Sequence, residues 1–213
     1  MKMIIPIIFI FCLFFSFSSS EPSVFDFCVA DFSLPYDPAG YSCKNPKNVT
    51  ANDFHGTVLG VKSNTANIFK TGETTAFVQQ IPGLNGLSVS MARVDVEANG
   101  VVPLHTHPDA TEILYVMQGQ MLAGFISSDN VVYLKTLNPG DVFVFPQGLL
   151  HFQLNEGRSL SVGIAGYSSS NPRIQIVDFA LFQSNLTTQL ITAVTFINIL
   201  EAKRLKIVFG GSG

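Results

Sequence analysis

From about residue 74 to residue 182 the chain runs in short stretches of β-branched, aliphatic and aromatic residues, and this punctuation limits its fold more than any other feature. The stretches at 87–94, 111–117, 131–134, 142–145, 160–165 and 174–179 are separated by Gly, Asn, Asp and Pro, with a break about every ten residues. That pattern predicts an antiparallel sandwich or barrel, a mainly β domain. Gln118-Gly119-Gln120 and Asn138-Pro139-Gly140-Asp141 mark two of its turns. After residue 183 the period changes. Leu190, Ile191 and Val194, then Ile197, Leu200 and Leu205, predict helices with one apolar face. Asn198 with Glu201 three residues on reads as an N-cap and its reciprocal partner. A terminal helix with no core of its own must pack on the barrel or clasp a neighbouring subunit.

The start of the chain reads as a secretory leader over 1–20. Lys2 precedes an apolar run from Ile4 to Phe17, broken by Pro6 and Ser16, and Ser18 and Ser20 follow. An uncleaved membrane anchor is the competing reading, but the run is short of the ~20 apolar residues that a spanning helix needs. Export would leave Cys28 and Cys43 as an even pair in an oxidising compartment. A disulfide between them, with two free thiols as the alternative, would close a loop of about fifteen residues for roughly 3 kcal/mol. It would hold an irregular arm over 21–60, ahead of a barrel over 61–182 and a helical extension over 183–213. Asn48-Val49-Thr50 and Asn185-Leu186-Thr187 are glycosylation sequons. The net charge of −3 becomes −4 without Lys2, and no basic stripe precedes the last residues, which argues against nucleic acid as a partner.

Three of the four histidines fall in two blocks, Leu104-His105-Thr106-His107-Pro108-Asp109-Ala110-Thr111-Glu112 and Pro146-Gln147-Gly148-Leu149-Leu150-His151-Phe152-Gln153-Leu154-Asn155. His105 and His107 stand two apart, so on a strand they share a face. Alternation groups Glu112 with Leu114 and Val116, where a buried carboxylate needs a partner or an ion. It also groups His151 with Gln153 and Asn155, and sets Phe152 and Leu154 opposite. Strands bending around one barrel mouth would bring His105, His107, Glu112 and His151 together as a metal site with open positions. Nitrogen and oxygen donors without thiolates suit Mn, Fe, Ni or Zn. His55 has no such company and reads as ordinary, and Arg93 reads as half of an ion pair with Asp95 or a neighbouring carboxylate.

On these residues the chain resembles the germin-like proteins of the cupin superfamily. Gly100, His105, His107, Glu112 and Gly119 match the first cupin motif, and Gly140, Pro146, Gly148, His151 and Asn155 the second. The likeness extends to Asp26-Phe27-Cys28-Val29-Ala30-Asp31, to Gly40-Tyr41-Ser42-Cys43 and to a last strand over 174–182. Within the family, the text at 133–137 and 145–153 is similar to the auxin-binding branch. The resemblance implies a cupin jelly-roll β-barrel with a C-terminal α-helical extension. It also implies manganese on His105, His107, Glu112 and His151, and a secreted apoplastic glycoprotein assembled as a homohexamer, a trimer of dimers. Oxalate oxidases of the family carry two pocket asparagines; Asn85 is matched to the first, and Ala92 replaces the second. Alanine cannot donate a hydrogen bond, which disfavours oxalate oxidation.

The expected activity is that of a manganese superoxide dismutase, with a role in defence or development and a cavity lined by residues such as Asn85, Leu114 and Phe152. A binding protein for auxin or another small carboxylate is the second expectation. Oxalate oxidase and a storage role follow.

Overall fold

The structure, a computed structural model, describes residues 26–37 and 40–212. The leader expected over 1–20 lies outside the described residues. Among those described, no helix is long and apolar enough to cross a membrane.

The arm carries a two-stranded ladder, β1 (Tyr36–Asp37) against β2 (Gly40–Tyr41), and short 3-10 turns. The barrel follows with β3 (Thr71–Ala76), β4 (Ser90–Val96), β5 (Val101–Thr106), β6 (Glu112–Gln118), β7 (Met121–Ile126), β8 (Val132–Leu137), β9 (Val142–Phe145), β10 (Leu150–Leu154), β11 (Ser161–Tyr167) and β12 (Gln175–Ile176). These form two antiparallel five-stranded sheets, in the orders β12-β5-β10-β7-β8 and β3-β4-β11-β6-β9. Apart from the β3-β4 and β7-β8 pairs, neighbours in each sheet are distant in sequence, as in a jelly roll. Two helices close the chain, α1 (Thr188–Thr195) and α2 (Ile199–Phe209).

Period-two alternation builds the interior. On β6, Glu112, Leu114 and Val116 are buried while Ile113, Tyr115 and Met117 are exposed. Val94, Val96, Leu114, Val116, Met121, Leu137, Phe145 and Ala165 make the core between the sheets. Turn chemistry fits the crossings between the sheets: Gly119 takes φ +74 between β6 and β7, a backbone conformation that favours glycine, and the Asn138 amide donates to the Asp141 carboxylate between β8 and β9.

Cys28 and Cys43 are bonded, with the sulfurs 2.06 Å apart. The segment ahead of β3 is pinned to the sheet by Asp95, which is fully buried on β4. Its carboxylate accepts from Arg93 Nε and Nη2 and from the Ser63 amide, with donors 2.9 Å away. Burial alone would raise this carboxyl, but the Arg93 hydrogen bonds outweigh it and hold the group below its ordinary value.

Two local expectations are corrected. The stretch over 174–182 is not one strand: β12 ends at Ile176 and a π-helical turn, Phe179–Gln183, follows. Phe182 there packs with Ile191 and Ala202 of the helices, a demand that local β-propensity does not register. Asn198 does cap α2, accepting from the Leu200 amide, but Glu201 is engaged with Arg204 rather than folded back on the cap.

Candidate metal centre

The centre is made where two strand ends meet. β5 and β10 pair with His151 directly opposite His105, and a bulge follows between His151 and Gln153. The two sequence blocks are tied by the Gly148 amide, which donates to the His107 carbonyl at 3.1 Å. Gly148 sits at φ +76, so this turn needs the freedom glycine has. β6 brings in Glu112 on its core-facing side.

His105, His107, Glu112 and His151 are all buried, and one ligand atom from each lies within 4.8 Å of all the others. Every imidazole is fixed from behind. His105 Nδ1 faces the Pro103 carbonyl at 2.7 Å, His151 Nδ1 the Leu149 carbonyl at 2.8 Å, and His107 Nδ1 the Arg173 carbonyl. A carbonyl can only accept, so each Nδ1 carries the proton and each Nε2 is left for the cluster. The Nε2 atoms of His107 and His151 both lie 3.2 Å from Glu112 Oε2.

Electrostatics prepares the same groups. Burial opposes the charge on Glu112, but the His107 and His151 rings set against its Oε2 outweigh it and hold its carboxyl down at about 2. Burial, with His151 close by, pushes His105 down to about 3, so this ring is neutral at ordinary pH. Burial would lower His107 as well, yet the bond to Glu112 raises it. Three inward nitrogens and an ionised carboxylate, with no thiolate, fit a Mn, Fe, Ni or Zn ion with exchangeable positions. Gln153 adds a further sign of fit. Its Nε2 faces Glu112 Oε1, and its buried Oε1 has no partner, a free acceptor beside the cluster.

Above the cluster opens a cavity of about 490 Å³. Val94, Val102, Ile174, Ile176 and Phe179 supply apolar wall, and His105, His107, Glu112 and Gln153 contribute to its lining. None of the three residues expected to line the pocket is part of this wall. Phe152 lies on the opposite face of β10 from His151, as alternation demands, packed toward Gly124. Leu114 is fully buried in the core. Asn85, between β3 and β4, turns toward the arm instead, where its amide donates to the Tyr41 carbonyl at 2.8 Å and contacts Cys28 Sγ at 3.2 Å. It braces the disulfide. Ala92 is likewise sealed in the core. His55 is exposed in the arm and stands apart from the cluster.

Two residues of the cavity gave no sequence signal, Glu73 and Tyr167. Tyr167, opposite Glu112 on the neighbouring strand, touches the His107 ring with centroids 4.9 Å apart and donates to Glu73 at 3.0 Å. Ninety-four residues separate that last pair, so only the fold joins them. Gln153 was legible as a partner of His151 by its spacing.

The Cupin family model matches residues 57–199. A germin-like protein of Morus alba is 53% identical over 99% of this chain and 100% of its own length. The auxin-binding protein ABP19b of Prunus persica is 54% identical over 99% of this chain and 100% of its own length. Germin-like protein subfamily 3 member 3 of Arabidopsis thaliana is 55% identical over 100% of both chains. A solved structure of oxalate oxidase superposes with a TM-score of 0.84 at 35% identity, covering 89% of this chain and 98% of that one.

Proposed function

This chain belongs to the cupin family, among its germin-like proteins, and from that premise we propose that it is a secreted, manganese-binding glycoprotein with superoxide dismutase activity. The observation that carries the reading is the convergence of His105, His107, Glu112 and His151, each imidazole with its Nδ1 committed to a backbone carbonyl. Manganese bound there would supply one-electron redox chemistry at exchangeable positions. The chain's own part is to hold three imidazole nitrogens in place, to reduce the charge of the centre through Glu112, and to surround it with apolar wall. A small oxygen species needs little more recognition than that. The overall charge of −3 would not steer an anion toward the centre, so attraction must be local.

The cavity also fits a second reading, a binding protein for a small organic molecule held over the metal. Its volume of about 490 Å³ far exceeds what superoxide requires, and a relative at 54% identity is named an auxin-binding protein. Oxalate oxidation ranks lower, because neither Asn85 nor any side-chain amide at position 92 reaches the cavity. Exposed Asn48 and Asn185 fit the proposed glycosylation, and exposed Leu190, Val194, Leu200 and Ile207 on α1 and α2 fit the proposed hexamer.

Metal analysis of the native protein with a dismutase assay tests the leading reading. Bound manganese, dismutation, and loss of both in His151→Ala are the expected results. A manganese-loaded protein that does not dismute superoxide overturns it.

A further inference from the structure

The cavity over the metal centre is one-sided in its hydrogen bonding. Its side-chain donors are each engaged at least once. The Tyr167 hydroxyl donates to Glu73 Oε1, and Gln153 Nε2 faces Glu112 Oε1, an acceptor that fixes which end of the amide is nitrogen. At the rim, Asn67 Nδ2 donates to the Thr71 carbonyl at 2.6 Å and the Thr71 hydroxyl to the Asp95 carbonyl at 3.2 Å. His105 and His107 give their Nδ1 protons to backbone. No lysine or arginine is in the lining.

Acceptors, by contrast, are in surplus. Gln153 Oε1 is buried with no partner, and the Glu73 carboxylate, bonded once by Tyr167, keeps lone pairs to spare. Glu73 stands in the cavity close enough to feel both Glu112 and His107, and solvent reaches it through the opening. A carboxylate ligand entering here would lose its water, meet no lysine or arginine, and face a like charge. An uncharged ligand with an O–H or N–H finds apolar wall for its body and a waiting acceptor for its proton.

We propose that Glu73 is a specificity-determining residue that, with Gln153, makes this cavity select an uncharged apolar ligand bearing a hydrogen-bond donor, such as an aromatic alcohol, and reject carboxylates. The inference rests on the small-molecule reading of the cavity and narrows its ligand class.

Isothermal calorimetry on the full mature protein, of measured metal content, tests it with two probes of nearly equal shape, indole-3-ethanol and indole-3-acetate. The alcohol is expected to bind roughly tenfold or more tighter than the acid, and Glu73→Gln to raise the acid's affinity by roughly tenfold or more while changing the alcohol's much less. The glutamine keeps an acceptor for Tyr167, and a thermal melt matching the wild type establishes that the variant is folded. Equal or tighter binding of the acid by the wild type, no gain for the acid in Glu73→Gln, or no binding of either probe overturns the proposal. Binding of both probes without preference for the alcohol sinks the role of Glu73 alone, whereas no binding of either probe sinks the small-molecule reading on which it rests.

Discussion

Glu112→Gln keeps the shape of the side chain at the heart of the cluster and removes its charge. Glu112 is 2% exposed, and its Oε2 lies 3.2 Å from the Nε2 atoms of both His107 and His151. Burial pulls its carboxyl upward, yet those two contacts bring it from 4.5 to about 2. At 1.36 kcal/mol per unit, that drop corresponds to roughly 3 kcal/mol of folded-state stability in the metal-free protein. The sign follows from the direction. A carboxyl lower in the folded than in the unfolded chain contributes fully above its unfolded value, and the contribution is lost as pH falls toward about 2. Glutamine can recover part of this with its amide, so a cost of about 1–3 kcal/mol is expected at pH 7, shrinking toward nothing at the acid end. Urea unfolding of chelator-treated wild type and variant across that range reads the difference directly. Metal binding should suffer more. The variant loses the cluster's one anionic donor, and a competition titration with a fluorescent chelator should show affinity reduced by at least roughly 100-fold. A stability difference that does not change with pH, or manganese affinity equal to the wild type, would refute the reasoning.

Asp95→Ala should cost about 3 kcal/mol at pH 7, because it strands Arg93 and the Ser63 amide beside a buried site, and metal content should not change. Since Asp95 lies below its ordinary 3.8 in the folded chain, that cost should diminish as pH falls through this region; a pH-independent cost in urea melts would count against the pairing. Reducing the Cys28–Cys43 bond, which spans 15 positions, should lower stability by roughly 3 kcal/mol. A reduced protein that melts with the oxidised one would show the arm contributes little.

Much of the centre was legible because it depends on local rules. A strand turns each side chain by half a revolution, so His105, the set Glu112, Leu114 and Val116, and the set His151, Gln153 and Asn155 could be assigned to the inside from spacing alone, and all are buried. The same rule already set Phe152 on the opposite face from His151, and placing it in the pocket ran against that alternation. Asn85 failed for another reason: a polar side chain in a turn-rich segment finds its partners in whichever backbone folds over it, here Tyr41 of the arm. Arg93 and Asp95, two apart on one strand, were readable as a pair.

The class of the domain, the four candidate ligands and the donor chemistry they offer follow from the amino-acid order, because strand alternation and residue type are properties of neighbouring residues. Tertiary structure alone decided that His151 stands opposite His105, that Arg173, remote in sequence, orients His107, and that Glu73 meets Tyr167 across the cavity. Those contacts join strands far apart in the chain, and their register is set by the packing of the whole sandwich, which no local pattern encodes.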